Sequence, residues 1–527
     1  MDVMMQISHK KYQIFSVIIA VTGFVFAIIA TSKYGAGVSS DAVRNLSTAD
    51  NLAVGKGFVD FVRFPFVQWP PLYPLTLAGL KLLTGLGTFQ IAWYLNAFLY
   101  LVNLWLWSKL LYCIFQGRPI YAVLGAVAMV LSRSTLRIYD TVSSEPMFIT
   151  FMLVFFFAAA DYLNRTSRRA LWLMIIMAAL ASLQRYLGVI LIGILGLLIL
   201  YRQGWRALGG AFLSAILSFL PIGLWVFLHN YLRHNMLFGP RVLSQFFPLE
   251  NISLTLTKIF NWFVPLHPLL LPILMRPWII LLVIALILVL INDRKRWLEW
   301  GRAFTQDRYL GPLTLFTIIY LILLAFTVNT IDHRDLTSDR YYVVVHPVIL
   351  VVVFITMDVL IIPHVKLGNR WLRAVPIALF LIWLLYPVIS LQEYLGKALV
   401  QGEPSNYNIH NSAWFANMKF LKVTDAIIDQ DPSAMLYSNY TTTTWFRFQR
   451  PTYILPHQDA ELSREENLAL LERNYADWPG ADPGYIIWFT PNESTGYAPP
   501  ENLSVIANVK LLYQDENGQL FYVEAKK

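Results

Sequence analysis

Asp41 stands just beyond an apolar run of membrane-spanning length, in the polar stretch of residues 39–84 that opens SSDAVRNLSTAD. A charge beside lipid is costly, and such residues usually face a cavity or a solvated active site. A carboxylate there either takes a proton from an attacking hydroxyl or caps a helix and favours its dipole. A second cluster lies in SRSTLRIYDTVSSEPMFI, residues 132–149, which holds Asp140 and Glu145. Arg133 and Arg137 fall one helical turn apart and share a face, which suits an anion or pairing with those carboxylates. Glu145 or Ser144 equally suits a helix cap ahead of Pro146. Arg185 follows in SLQRYLGVI, and Arg233, His234 and Arg241 come after it. NTIDHRDLTSDRYYVVVHPVIL then supplies Asp332, His333, Arg334, Asp335, Asp339 and Arg340. A guanidinium fork matches phosphate oxygens, so outer-side arginines fit a phosphate ligand.

The elements that must position these residues are membrane helices. Of the 527 residues, 57% are hydrophobic and only 14% charged, against roughly 25% charged in soluble domains. About eleven apolar runs reach spanning length: 13–31, 89–115, 120–138, 146–163, 170–184, 186–202, 207–229, 276–292, 309–328, 341–362 and 372–391. A tight turn at Gln184–Leu187 must join the fifth to the sixth. Basic loops at Lys10–Lys11, Arg118, Arg165–Arg169, Arg202–Arg206, Arg294–Arg296 and Lys366–Arg373 mark the cytoplasmic side. The N-terminus is then cytoplasmic, and the segments bearing Asp41, Glu145, Arg185 and Arg340 face outward.

In the first outer loop Ser40 is an N-cap candidate. Val43, Leu46, Ala49 and Ala53 form one face of an amphipathic helix; Asp41, Arg44, Asn45, Thr48 and Asn51 form the other. A second interfacial helix follows Trp69–Pro70–Pro71 over 71–86. From residue 392 the composition becomes that of a soluble domain. Strand-like runs at 434–439, 451–456 and 484–489, helical stretches at 411–430 and 465–475, and a terminal hairpin turning at Asn517–Gly518 predict a small α/β domain over 392–527. Its Ser438–Asn439–Tyr440 segment sits after a strand, where such domains commonly bind ligands. Residues 1–391 form the membrane domain.

Several classes are excluded. The net charge of +9 resides in short loops between spans, so it reads as orientation and not as nucleic-acid binding. Cys113 is the single cysteine, which rules out an internal disulfide. No GxxxxGK[ST], HExxH or CxxC occurs, disfavouring an ATP-driven pump and a zinc enzyme. Histidines 229, 234, 267, 333 and 346 lack metal-ligand spacing.

Four landmarks occur together in order: the Asp after the first span, WPPLYPL, SSEPMFI opening the fourth span, and LQRYLGV, with DRYYVVVHP before a late span. In this the chain resembles the GT-C glycosyltransferases, near the protein O-mannosyltransferases and the bacterial aminoarabinose transferases of lipid A. The resemblance covers most of residues 1–350. It implies an all-α polytopic GT-C membrane domain, a polyprenyl-phosphate-linked sugar donor, and chemistry on the outer face of a bacterial inner or plasma membrane.

Within that resemblance Asp41 matches the catalytic Asp of loop one and Glu145 the second acidic position. Arg185 and Arg340, with Arg137, match basic positions near the donor phosphate. Arg44, Trp69, Tyr73, Tyr186 and Tyr341 are candidates to line the substrate groove. Many relatives carry Asp-Glu and an aromatic at the first position, whereas here Ala42 and Val43 follow Asp41. The implied reaction is an inverting transfer to a hydroxyl of a lipid, glycan or protein acceptor. A divalent cation, Mg or Mn, held with the help of Glu145 is the one cofactor left open. A lipid-linked glycan flippase or a non-enzymatic membrane scaffold is the alternative, and the chain lacks the internal repeat common in transporters.

Overall fold

A computed structural model describes residues 8–239 (except 117), 294–328, 339–361, 375–404, 408, 410–490 (except 460) and 496–526, together with Ile259 and Trp262. The expected span 276–292 and the outer residues Arg241, His267, Asp332, His333, Arg334 and Asp335 lie outside the described residues.

The first half of the chain folds as α1 (His9–Ala30), α2 (Ser40–Ala53), α3 (Leu72–Thr84), α4 (Thr88–Ile114), α5 (Pro119–Leu131), α6 (Arg133–Leu136), α7 (Glu145–Arg165), α8 (Arg168–Gln184), α9 (Val189–Gln203) and α10 (Leu208–Leu224). It continues as α11 (Arg294–Gln306), α12 (Leu310–Val328), α13 (His346–Thr356) and α14 (Val375–Gln401). The 22 residues of α1, at about 1.5 Å each, cover a hydrocarbon core of about 30 Å. Five helical stretches among the described residues are long and apolar enough to cross a membrane: His9–Ala30, Thr88–Ile114, Glu145–Arg165, Tyr186–Gln203 and Trp205–His234. A sixth is reached if α11 and the start of α12, bent by 89°, count as one span. The chain is an integral membrane protein.

The expected eleven spans are not all matched. The third, 120–138, stops at Leu131 because Ser132 turns extended and its hydroxyl accepts the Thr135 N–H, capping the separate short α6. The fifth forms the 17-residue α8, and the tenth corresponds to the shorter apolar stretch His346–Leu360.

Two compact units emerge, and they interleave in sequence. The first holds Met1–Ala30, Val67–Tyr73 and Trp93–Gly396; the second holds Thr31–Phe66, Pro74–Ala92 and Lys397–Lys527. Within the first, α1 passes close to α4. A Cβ on Gly23 would lie 2.1 Å from Leu104 Cδ1, so any larger residue there would push the Leu104 side chain aside. The Tyr12 hydroxyl donates to the Ser108 carbonyl of α4 at 2.8 Å.

The second unit is built on a five-stranded sheet of β1 (Met435–Ser438), β2 (Thr452–Ile454), β3 (Gly484–Phe489), β4 (Ala507–Asp515) and β5 (Gly518–Ala525), ordered β2-β1-β3-β5-β4. β1 pairs parallel with β2 and β3, whereas β5 pairs antiparallel with β3 and β4. The expected strands and hairpin all form, but the turn is Glu516–Asn517, since Asp515 pairs with Gly518. Gly518 is already in the strand. Its requirement is steric: a Cβ there would meet the Trp488 carbonyl and the Phe420 ring, each at 2.6 Å. Phe420 belongs to α15 (Lys419–Ile428), packed on one sheet face; α16 (Thr441–Phe448) follows β1.

Candidate active site

In the first unit the geometry centres on Glu145. It opens α7 and is 2% exposed, with Pro146 next in line. Its Oε1 meets the Arg185 guanidinium at 2.6 Å and the Arg340 guanidinium at 2.8 Å. Both arginines are themselves mostly buried, at 14% and 17% side-chain exposure. Two guanidinium groups thus converge on one carboxylate where water screens poorly.

Local structure explains why the arginines arrive there. Arg185 occupies the extended residue between α8 and a 3₁₀ turn at Tyr186–Gly188. The expected tight turn is present, and Gly188 makes it possible. A Cβ on that residue would lie 2.3 Å from the carbonyl carbon and oxygen of Ala181. Arg185 also donates to the Ser144 hydroxyl at 3.3 Å, and Gln184 donates to the Ser144 carbonyl at 3.0 Å. Arg340 lies in the 3₁₀ turn Asp339–Tyr341, 5.2 Å from the Tyr341 ring. The buried Tyr320 of α12 donates its hydroxyl to the Tyr341 carbonyl at 2.9 Å and so fixes that turn.

A second tier steadies the WPP entry. The Tyr186 hydroxyl donates to the Val67 carbonyl at 3.3 Å, and Asn230 donates to the same carbonyl at 3.2 Å. Asn230 sits in the π-helical Trp225–Tyr231 that continues α10, a distortion often found at functional sites. Tyr73 is 1% exposed and, like Tyr320, within electrostatic reach of Glu145. Trp69 shares this unit. Arg137 follows α6, and its carbonyl accepts from the Thr141 hydroxyl at 3.0 Å. Asp140 is fully buried and accepts from the Tyr394 hydroxyl at 3.0 Å, while Arg133 lies 5.7 Å from that ring.

In the second unit Asp41 lies in the first turn of α2. The N-cap is Ser39, one residue earlier than the spacing predicts: its hydroxyl accepts the Ala42 N–H at 3.2 Å. Val43, Leu46 and Ala49 of the expected apolar face are buried, but so are Asn45 and Thr48 of the expected polar face. The reason is that α2 is packed on both sides and does not lie on an interface. Arg44, a groove candidate, pairs with Asp60 at 3.4 Å. Asp60 is buried and accepts the N–H groups of Val62 and Phe64 at 3.0 and 2.9 Å. Burial nevertheless outweighs those partners and raises its pKa above the ordinary carboxylate value.

Among the described residues no three His, Cys, Asp or Glu side chains gather as a metal site. Glu145 is a poor cation ligand because its Oε1 already faces two guanidinium groups. The sequence reading took Ser144 only as a helix cap, and it missed Asn230, Tyr320 and His410, the last buried beside Ser40. Spacing offered little signal, since each has a partner far away in sequence. The Ser438–Asn439–Tyr440 segment is spent on structure. Asn439 donates to the Phe489 carbonyl at 2.9 Å and accepts its N–H at 2.8 Å.

The fold is similar to that of ArnT from Cupriavidus metallidurans, in a crystal structure bound to undecaprenyl phosphate. The TM-score is 0.56 at 12% identity over 98% of both chains. The apo crystal structure of ArnT gives 0.54 at 12% identity over 97% of each chain. The mycobacterial arabinofuranosyltransferase AftD, solved by cryo-EM, gives 0.52 at 14% identity, covering 99% of this chain and 40% of that one. At these identities the likeness is one of fold, and the fold is the GT-C type that the motifs imply. No family model and no curated protein sequence matches the chain.

Proposed function

We propose that the protein is a membrane glycosyltransferase that moves a sugar from a polyprenyl-phosphate carrier to an acceptor hydroxyl. The observation that carries this reading is the meeting of Arg185 and Arg340 on the buried Glu145. Segments more than a hundred residues apart bring two guanidinium groups together against the repulsion of like charges. A phosphate leaving group supplies the negative charge that such a pair favours. The likeness of fold to ArnT bound to undecaprenyl phosphate, and to AftD, supports the same donor class.

In this mechanism Asp41 accepts the proton of the acceptor hydroxyl as its oxygen attacks the anomeric carbon. The bond from that carbon to the phosphate oxygen breaks through an oxocarbenium-like transition state, with inversion. Charge grows on the departing polyprenyl phosphate, where Arg185 and Arg340, with Arg137, stabilise it. Glu145 orients the two arginines, and no step runs through a metal ion. The basic loops support a reaction on the outer membrane face, with the N-terminus cytoplasmic and residues 392–527 an extracytoplasmic domain. The family resemblance supports a bacterial inner or plasma membrane. Arg44, Trp69, Tyr73, Tyr186 and Tyr341 line the route of substrate or steady it.

The test is release of polyprenyl phosphate by the purified protein from a polyprenyl-phosphate sugar. Asp41→Asn is expected to lower the rate about 10²–10⁴-fold, the range of a general base. Transfer by Asp41→Asn at the wild-type rate removes Asp41 from the role of base.

A further inference from the structure

We propose that the C-terminal α/β domain is a positioning platform for the catalytic loop, with His410 as the positioning residue that sets Asp41. The proposal rests on Asp41 being the base. Its observations all lie within one compact unit, which joins the first outer loop to the C-terminal sheet.

Three side chains of the segment entering the domain hold the chain on its approach to Asp41. Asn411 donates to the carbonyls of Tyr34 and Ala36 at 2.7 and 2.9 Å. Asn408 accepts the N–H of Val38 at 3.1 Å, and the same oxygen accepts the Asn411 N–H. The Asn408 amide donates to the Glu403 carbonyl at 2.8 Å, closing its own segment. His410, 3% exposed, lies between two hydroxyls: Nε2 is 3.4 Å from Ser40 Oγ and Nδ1 is 2.5 Å from Thr443 Oγ1. A neutral imidazole offers one donor and one acceptor, so it can link both hydroxyls in either tautomer.

The far side of this link is rigid. Thr443 belongs to α16, which begins after β1, and Asn439 ties the end of β1 to Phe489 at the end of β3 through both amide atoms. A continuous run of contacts therefore joins the sheet to Ser40, the residue bonded to Asp41. A 14-residue helix is marginal by itself and takes its position from tertiary contacts. These fall at 34, 36, 38 and 40, immediately ahead of the carboxylate. Buried polar groups in such number serve to fix a direction, because apolar packing would fill the space without the desolvation cost.

The experiment uses the full chain, with undecaprenyl-phosphate mannose and undecaprenyl-phosphate aminoarabinose as probes and amide exchange over residues 38–46 read in parallel. His410→Ala is expected to lower kcat about 10–100-fold with KM changed by less than about threefold, and to speed exchange in that segment. His410→Gln, which keeps a donor and an acceptor, recovers part of both. On an Asp41→Asn background His410→Ala costs nothing further, since it acts through Asp41. Unchanged exchange, an unchanged kcat, or a loss that adds in full to that of Asp41→Asn overturns the proposal. An inactive Asp41→Asn beside a fully active His410→Ala defeats the positioning role alone. A fully active Asp41→Asn defeats the base assignment and the positioning role together.

Discussion

The two regions that carry the candidate chemistry are built by opposite means. Around Glu145 the organising force is charge: one buried carboxylate and two guanidinium groups, drawn from a helix start and two 3₁₀ turns. Around Asp41 it is neutral hydrogen bonding, with Asn408, His410 and Asn411 holding backbone and hydroxyl groups. An ion cluster keeps a positive potential in place for an anion but fixes angles loosely. Neutral hydrogen bonds are weaker and directional, and they hold a carboxylate in line with a proton. The difference suits stabilisation of a leaving phosphate in one region and proton acceptance in the other.

Breaking the charge region should produce the largest effects after loss of the base. Arg340→Ala and Arg185→Ala are each expected to lower kcat about 10²–10³-fold, as for removal of one transition-state donor. Arg185→Lys should recover only a minor part, because a compact ammonium replaces the planar donor fork that matches phosphate oxygens. Steady-state kinetics with a polyprenyl-phosphate sugar check this; full activity of Arg185→Lys would show that charge alone suffices. Glu145→Gln keeps the shape and removes the counter-charge, leaving two guanidinium groups facing a neutral amide. A loss of about 10–100-fold is expected, smaller than for either arginine, because donors remain but their orientation degrades. A larger loss than Arg340→Ala would instead give Glu145 a direct part in the chemistry.

Gly188→Ala probes the same region through the backbone. The added methyl meets main-chain atoms of Ala181 and Ser182 at 2.3–2.4 Å, so the turn bearing Arg185 must move. Overpacking of this kind costs about 1–3 kcal/mol. The expected outcome is a lower apparent melting temperature together with reduced kcat, and unchanged values of both would mean that the turn has room to yield.

Legibility in the sequence followed the range of the physics. The helical spacing of α2, the five strands and the apolar runs behind the five spanning helices are local patterns and were readable. Ser132 defeated the third span because a single hydroxyl capping Thr135 outweighs the hydropathy of the window around it. Arg185 and Arg340 were legible as charges beside apolar runs, out of keeping with the basic loops expected on the opposite side. Their shared partner was not, since Glu145 lies 40 residues from Arg185 and 195 from Arg340, separations that leave no spacing to read. His410 was illegible for the same reason: its partners Ser40 and Thr443 lie in segments that only the folded second unit brings together. The Asn517–Gly518 signal located the hairpin correctly and misplaced its turn by one residue, because Gly518 answers to Phe420 and Trp488 and not to a backbone angle.

The smallest expected effect falls in the second region, at the Arg44–Asp60 ion pair. Asp60 lies under Arg44, whose side chain is 35% exposed, so the pair contributes at most about 1 kcal/mol. Desolvation raises the Asp60 pKa despite Arg44 and the N–H groups of Phe64 and Val62. The folded state therefore holds this proton more tightly than the unfolded state. The contribution is present in full below the ordinary value of 3.8, and it is lost as pH rises through the folded value. Asp60→Asn keeps an oxygen for the two N–H groups and cannot ionise. Between about pH 4 and pH 7 its apparent melting temperature should fall less than that of the wild type, and at pH 7 the two should agree within about 2 °C. A variant less stable by more than about 5 °C at pH 7 would mean that the Arg44 pair outweighs desolvation. The region around Asp41 would then be held by charge as well.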